Sequence, residues 1–165
     1  MLLRLLAQNS AMPQILGLSH IDLTVSDCDV TAQWWHDVLG FTLVHQVHEP
    51  DYECRSMIHR SGLAVTLMTH SATATLGAFD ERRAGLDHLA FQVTDLDELQ
   101  RWVAHLDTHS VPHTGIIDTG YGPTVVFRDP DNMQLEFYVH PDPVVVTRTI
   151  NAGSAEAQRI LRGQT

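Results

Sequence analysis

The chain has 165 residues, 44% of them hydrophobic and 18% charged, with a formal charge of −10 when its 11 histidines are neutral. That length suits one domain or two fused halves, the apolar fraction excludes a disordered chain, and the acidity excludes nucleic acid and anionic lipid as natural partners. All ten basic residues are arginine, so no lysine exists to form a Schiff base or to serve a P-loop.

Two cysteines, Cys28 and Cys54, are too few for a disulfide framework and read as free thiols. The first ten residues, MLLRLLAQNS, hold one short apolar patch. It falls far below the roughly 20 residues that a membrane span requires and is short for a secretory signal. Met12 is a second possible start, and the expectation is a cytoplasmic protein.

In chain order, the first element expected is a strand in GLSHIDLTVSD, residues 17–27, where apolar and polar residues alternate. A helix is expected over 28–39, capped by Asp27 and carrying Trp34, Trp35, Val38 and Leu39. Three strands follow near 41–48, 52–59 and 62–70. The linker over 71–84 is polar and rich in small residues. Then the pattern repeats. GLDHLAFQVTD, residues 85–95, matches the first strand segment at a constant offset of 68. A second helix is expected over 95–109, with Leu96, Leu99, Trp102, Val103 and Leu106 at helical spacing. Strands near 113–118, 122–128 and 133–140 complete the second half, the last matching VTLMTH (65–70) at an offset of 70. Asp129, Pro130, Asp131 and Asn132 read as a tight turn before that strand. Residues 1–14 and 141–165 are terminal extensions, with a short helix expected near 153–162.

The expected fold is therefore α+β: one domain over 15–140, built of two βαβββ modules (15–70 and 85–140). Strand alternation sorts the faces. His20, Asp22 and Thr24 share one face of the first strand, and His88, Ala90 and Gln92 share one face of its counterpart. Gln134, Glu136, Tyr138 and His140 share a face in the last strand, as do Ala64, Thr66, Met68 and His70 in its repeat partner. The repeat pairs His20 with His88 and Thr66 with Glu136. Two imidazoles and one carboxylate on inward faces form a donor set suited to one divalent ion, with Fe, Mn, Zn, Ni and Co all compatible. Asp22 and His70 are the best-placed proton carriers, and Tyr138 is a further catalytic candidate on the same faces.

HIDLTVSD, GLDHLAFQV and FRDPDNMQLEF resemble the first-, fifth- and last-strand motifs of the vicinal oxygen chelate superfamily, over about residues 15–140. That group includes glyoxalase, extradiol dioxygenases, methylmalonyl-CoA epimerase, fosfomycin-resistance transferases and bleomycin-resistance proteins. The resemblance implies a curved, open barrel, metal ligation by His20, His88 and Glu136, a small-molecule substrate and a homodimer. It also implies an enzyme, lyase or dioxygenase-like, whose metal stabilises an enolate- or catecholate-like intermediate. The alternatives are a non-catalytic small-molecule or antibiotic-sequestering protein and an atypical glyoxalase. Thr66 stands where glyoxalase and the epimerase carry Glu or Gln, and a Thr hydroxyl is a poor ligand and a weak base. Arg55, Arg60 and Arg128 are the arginines expected near a cavity, fewer cations than the transferases use to hold a phosphonate.

Overall fold

The computed structural model describes residues 18–71, 77–120 and 122–140. The expected terminal helix and Tyr121 lie outside these residues. The observed order is β1 (Ile21–Thr24), α1 (Cys28–Leu39), β2 (Thr42–His48), β3 (Tyr52–Ile58), β4 (Ala64–His70), then β5 (Leu89–Val93), α2 (Leu96–Thr108), β6 (Ile117–Asp118), β7 (Pro123–Arg128) and β8 (Gln134–Val139). Each half is a βαβββ unit, as the repeat requires. The strand expected over 113–118 is shorter than read: only Ile117–Asp118 pair with β7, and His113 makes an isolated bridge to Phe127.

Local chemistry sets both helices. Asp27 accepts hydrogen bonds from the Asp29 and Val30 amides at the start of α1. Asp95, its repeat equivalent, accepts from Glu98 at the start of α2. Gly40, at φ 74°, ends α1 in the left-handed region and donates to the His36 carbonyl.

The two sheets have the strand orders β1-β4-β3-β2 and β5-β8-β7-β6. In each, the first strand runs parallel to the last and the remaining pairs are antiparallel. The registers repeat too: Ile21 faces Val65 in the first sheet, and Leu89 faces Leu135 in the second. No closed barrel forms among the described residues. β1 and β5 each pair on one side only, so each sheet keeps an open edge.

Both sheets turn their apolar sides to one shared core. Leu23, Val25, Val65 and Leu67 of the first half are buried in the same cluster as Val125, Phe127, Leu135 and Phe137 of the second. Trp35 is fully buried and sets its ring edge-on to Phe41, 5.0 Å away, and to Phe91 of the other half, 6.2 Å away. Trp102 of α2 stacks on Phe137 at 4.1 Å. His105 of α2 donates from Nε2 to the Val38 carbonyl of α1, 2.9 Å away, so this histidine is structural.

The turn before β8 clasps the halves together. Asp131 accepts from the Ser26 amide at 2.7 Å and from the Thr31 hydroxyl at 2.9 Å. Asp129 accepts from the Asp131 and Met133 amides and from the Trp35 indole, the last at 3.4 Å. The equivalent turn of the first half is His59–Gly62, and there the His59 ring accepts from the Ser61 amide in the same manner. Ser61 stands where Asp131 stands, and that side carries no such clasp. It opens instead as a cleft of about 530 Å³ beside Phe91 and Trp102, with Arg60 in its wall.

Asp129 is 6% exposed, and burial pushes its carboxyl up from 3.8 to about 6. Between those values the native state holds a proton that the unfolded chain has released. Folding stability therefore falls as pH rises through that window, by about 3 kcal/mol in all. Urea denaturation at intervals across pH 3.8 to 6 should show this slope in the wild type and a shallower one in Asp129→Asn. Asp131→Ala removes two hydrogen bonds to a carboxylate, each worth ~1.5–3 kcal/mol. Its expected cost by the same measurement is about 3 kcal/mol at neutral pH, the low end of their sum because the Ser26 bond is exposed.

Candidate metal centre

The burial pattern sorts the faces as the alternation requires. In β1, Leu23 is buried while Asp22 and Thr24 are exposed, and His20 precedes them on the same side. In β8, Leu135 and Phe137 are buried while Glu136 and Tyr138 are partly open. Because the buried sides share one core, both polar faces point away from it.

In the second half, His88 and Glu136 come together. His88 Nε2 lies 3.9 Å from Glu136 Oε2. Its other nitrogen, Nδ1, sits 2.6 Å from Asp87 Oδ1. A carboxylate accepts, so the ring proton belongs on Nδ1 and the Nε2 lone pair is left facing Glu136. This is how a ligating histidine is oriented by a supporting carboxylate. The Glu136 side chain is 15% exposed, and Gln134 Nε2 donates to its Oε1 at 3.2 Å. The Thr124 hydroxyl, 3.4 Å from Oε2, gives its proton to the Phe137 carbonyl at 2.9 Å and leaves Oε2 available. The donor types suit a divalent metal, but with bonds of about 2 Å the two atoms would have to draw closer than 3.9 Å to act as neighbouring ligands.

The first half offers one donor of this kind. His20 Nδ1 is 3.1 Å from Ser19 Oγ, and Nε2 faces Asp22 Oδ1 at 3.9 Å. Thr66, the counterpart of Glu136, is turned to Ser56 Oγ at 3.2 Å. Among the described residues no group of three or more His, Cys, Asp or Glu is close enough to hold a metal ion. Among the described residues His88 and Glu136 come together, and His20 joins no group of three with them.

The remaining candidates divide in the same way. Asp22 sits beside His20. Tyr138 lies on the Glu136 face, its ring edge-on to His140 at 5.0 Å. Gly122 permits this packing, since a Cβ there would lie 2.5 Å from the Val139 carbonyl and 3.0 Å from the Tyr138 hydroxyl. His70 stands at the far end of β4. Asp22 faces Thr66, so His20 falls level with Ala64. Six residues of strand, roughly 20 Å, then separate it from His70.

Two of the arginines expected near a cavity are committed elsewhere. Arg55 lies on the core side of β3, its side chain 10% exposed. It donates to Asp29 at 2.6 Å and to Glu53 at 3.2 Å, tying the sheet to the start of α1. Arg128 holds Glu81 through both guanidinium nitrogens. Asp87 was missed as a support of the site, whereas Gln134 was among the inward-facing candidates. The Asp-His dipeptide at 87–88 was the available signal for Asp87.

Residues 17–137 match the glyoxalase/bleomycin resistance protein/dioxygenase superfamily. The chain belongs to this superfamily. It is 32% identical over 130 residues to the uncharacterized protein YaeR of Escherichia coli (strain K12), a stretch covering 75% of this chain and 98% of that protein. A superfamily domain from Frankia sp. EAN1pec superposes with a TM-score of 0.71 at 29% identity, covering 78% of this chain and all of that one. The fosfomycin resistance protein FosX of Listeria monocytogenes shares the fold, with a TM-score of 0.64 at 20% identity, over 82% of this chain and 99% of that one. FosX has also been crystallised with Mn(II) and sulfate. Among the described residues no helix is long and apolar enough to cross a membrane.

The Asp87 contact makes the His88 tautomer a measurable quantity. Long-range ¹H–¹⁵N NMR of the metal-free protein should place the ring proton on Nδ1. Asp87→Ala should move the population toward the Nε2-protonated form that a free imidazole prefers. An unchanged tautomer in the variant would show that Asp87 does not orient the ring.

Proposed function

We propose that the protein is a divalent-metal-dependent enzyme of the vicinal oxygen chelate type, with His88 and Glu136 of one subunit and His20 of the partner subunit holding the ion. The observation that carries this reading is the pre-set His88–Glu136 pair, with its Nδ1 proton directed to Asp87 and its carboxylate held on Oε1 by Gln134. A lone, partly buried carboxylate beside an imidazole lone pair is costly unless something positive joins them. His20 occupies the matching position on the other face, and both β1 and β5 have free edges along which a second copy can align. Leu43, Val44 and Ile58 expose apolar surface on the first sheet, which an assembly of two chains would help to cover.

When bound, a divalent ion supplies positive charge to adjacent oxygens of a small substrate. His88, His20 and Glu136 leave open coordination positions for those oxygens. Asp22, beside His20 and exposed, is the group placed to take or return a proton. Tyr138, two residues along β8 from Glu136, offers a phenol for orienting the substrate. Thr66 is bonded to Ser56 and supplies no fourth ligand, which favours a lyase or dioxygenase-like reaction over glyoxalase chemistry. The protein is read as cytoplasmic and dimeric.

Two measurements test this. Elemental analysis of untagged protein should find about one divalent ion per chain, lost in His88→Ala and in Glu136→Ala. Subunit mixing then tests where the site is built. His20→Ala and Glu136→Ala chains each lack a whole site as homodimers, yet a mixed dimer would regain one intact site. Return of bound metal on mixing supports a shared site. No return, with metal present in the wild type, means that each chain builds its own.

A further inference from the structure

We infer that Arg128 and Gln134 form a positioning relay, anchored by Glu81 of the linker, that aims the Glu136 carboxylate at the metal; the inference rests on the metal reading above. Arg128 Nη2 donates to Gln134 Oε1 at 3.0 Å. A guanidinium only donates, so the amide carbonyl of Gln134 must face it. The amide NH₂ is thereby turned to Glu136, where Nε2 donates to Oε1 at 3.2 Å. With Oε1 engaged, Oε2 is the oxygen presented to His88. Arg128 is itself fixed by the Asn132 carbonyl at 2.9 Å and by two bonds to Glu81, at 3.0 and 3.1 Å. The relay thus runs from the linker to the ligand without placing a positive charge against the carboxylate.

The internal repeat supplies the control. In the second half, Arg128 faces Gln134 across the β7–β8 ladder. At the same register in the first half, Ile58 faces Ala64 across β3–β4. Thr66, two residues beyond Ala64, stands where Glu136 stands. The half without a carboxylate ligand folds into the same ladder with no relay. Folding of a βαβββ unit therefore does not require these polar residues, and they occur where a carboxylate has to be aimed.

The test copies the first half's solution into the second. The double variant Arg128→Ile/Gln134→Ala should keep its thermal melt near that of the wild type. Its affinity for Co(II), followed by visible absorption and chelator competition, should fall ~10–100-fold, as for the loss of outer contacts to metal ligands. The shape of the Co(II) absorption should change as well, since Glu136 would no longer offer a single fixed oxygen. Gln134→Met keeps the side-chain length and removes only the relay, so it serves if the double variant does not fold. Glu81→Gln should give a smaller loss in the same direction. Wild-type affinity and spectrum in folded variants would overturn the relay and leave the proposed function standing. No Co(II) binding by the wild type would overturn both.

Discussion

Each βαβββ unit has one apolar sheet face and one helix, too little surface to bury a core alone, and the two units solve this by sharing one. Trp35 is the centre of that arrangement. It is fully buried, packs on Phe41 of its own half and Phe91 of the other, and gives its indole proton to Asp129. Asp129 and Asp131 on the far turn then reach Trp35, Ser26 and Thr31. Once the apolar faces are joined this way, the polar faces have to look outward. In the proposed site, His20 therefore comes from a second chain.

The two halves share the registers of their parallel strand pairs and an Asp N-cap on each helix, and several of their differences cluster around Glu136. Glu136, Gln134 and Arg128 replace Thr66, Ala64 and Ile58. Asp131 replaces Ser61, so one side of the junction between the halves is clasped while the other stays open as a cleft. These departures from symmetry gather in β7, β8 and the turn between them. Near-repeated sequence maintains the scaffold, and the residues that break the repeat do the holding and aiming.

Most of the architecture was legible without coordinates because it rests on local periodicities. Alternation located β1, β5 and β8, the Asp27 and Asp95 caps located the helices, and the offsets of 68 and 70 foretold that the registers would match. The candidate ligands were legible for the same reason, since strand parity alone puts His88 and Glu136 on one face. Arg55 was misjudged because its parity places it toward the core, where an ion pair with Asp29 at the start of α1 accommodates the charge. Parity says which face His70 occupies and not how far along the strand it lies, which the β1–β4 register adds. The β6 region was overestimated because His113 and Thr114 are drawn into turn and bridge contacts instead of a ladder.

By itself the sequence determined the repeat, the element order, the helix caps and which side of each strand is polar. These depend on neighbours a few residues away, and a chain carries that information linearly. The tertiary structure decided which polar faces meet. It brought Asp87 to the His88 ring and ran Glu81, Arg128 and Gln134 in a line to Glu136. The reason is that the direction in which two half-units pack is set by their shared core, and no local pattern records which way a sheet faces once that core has formed.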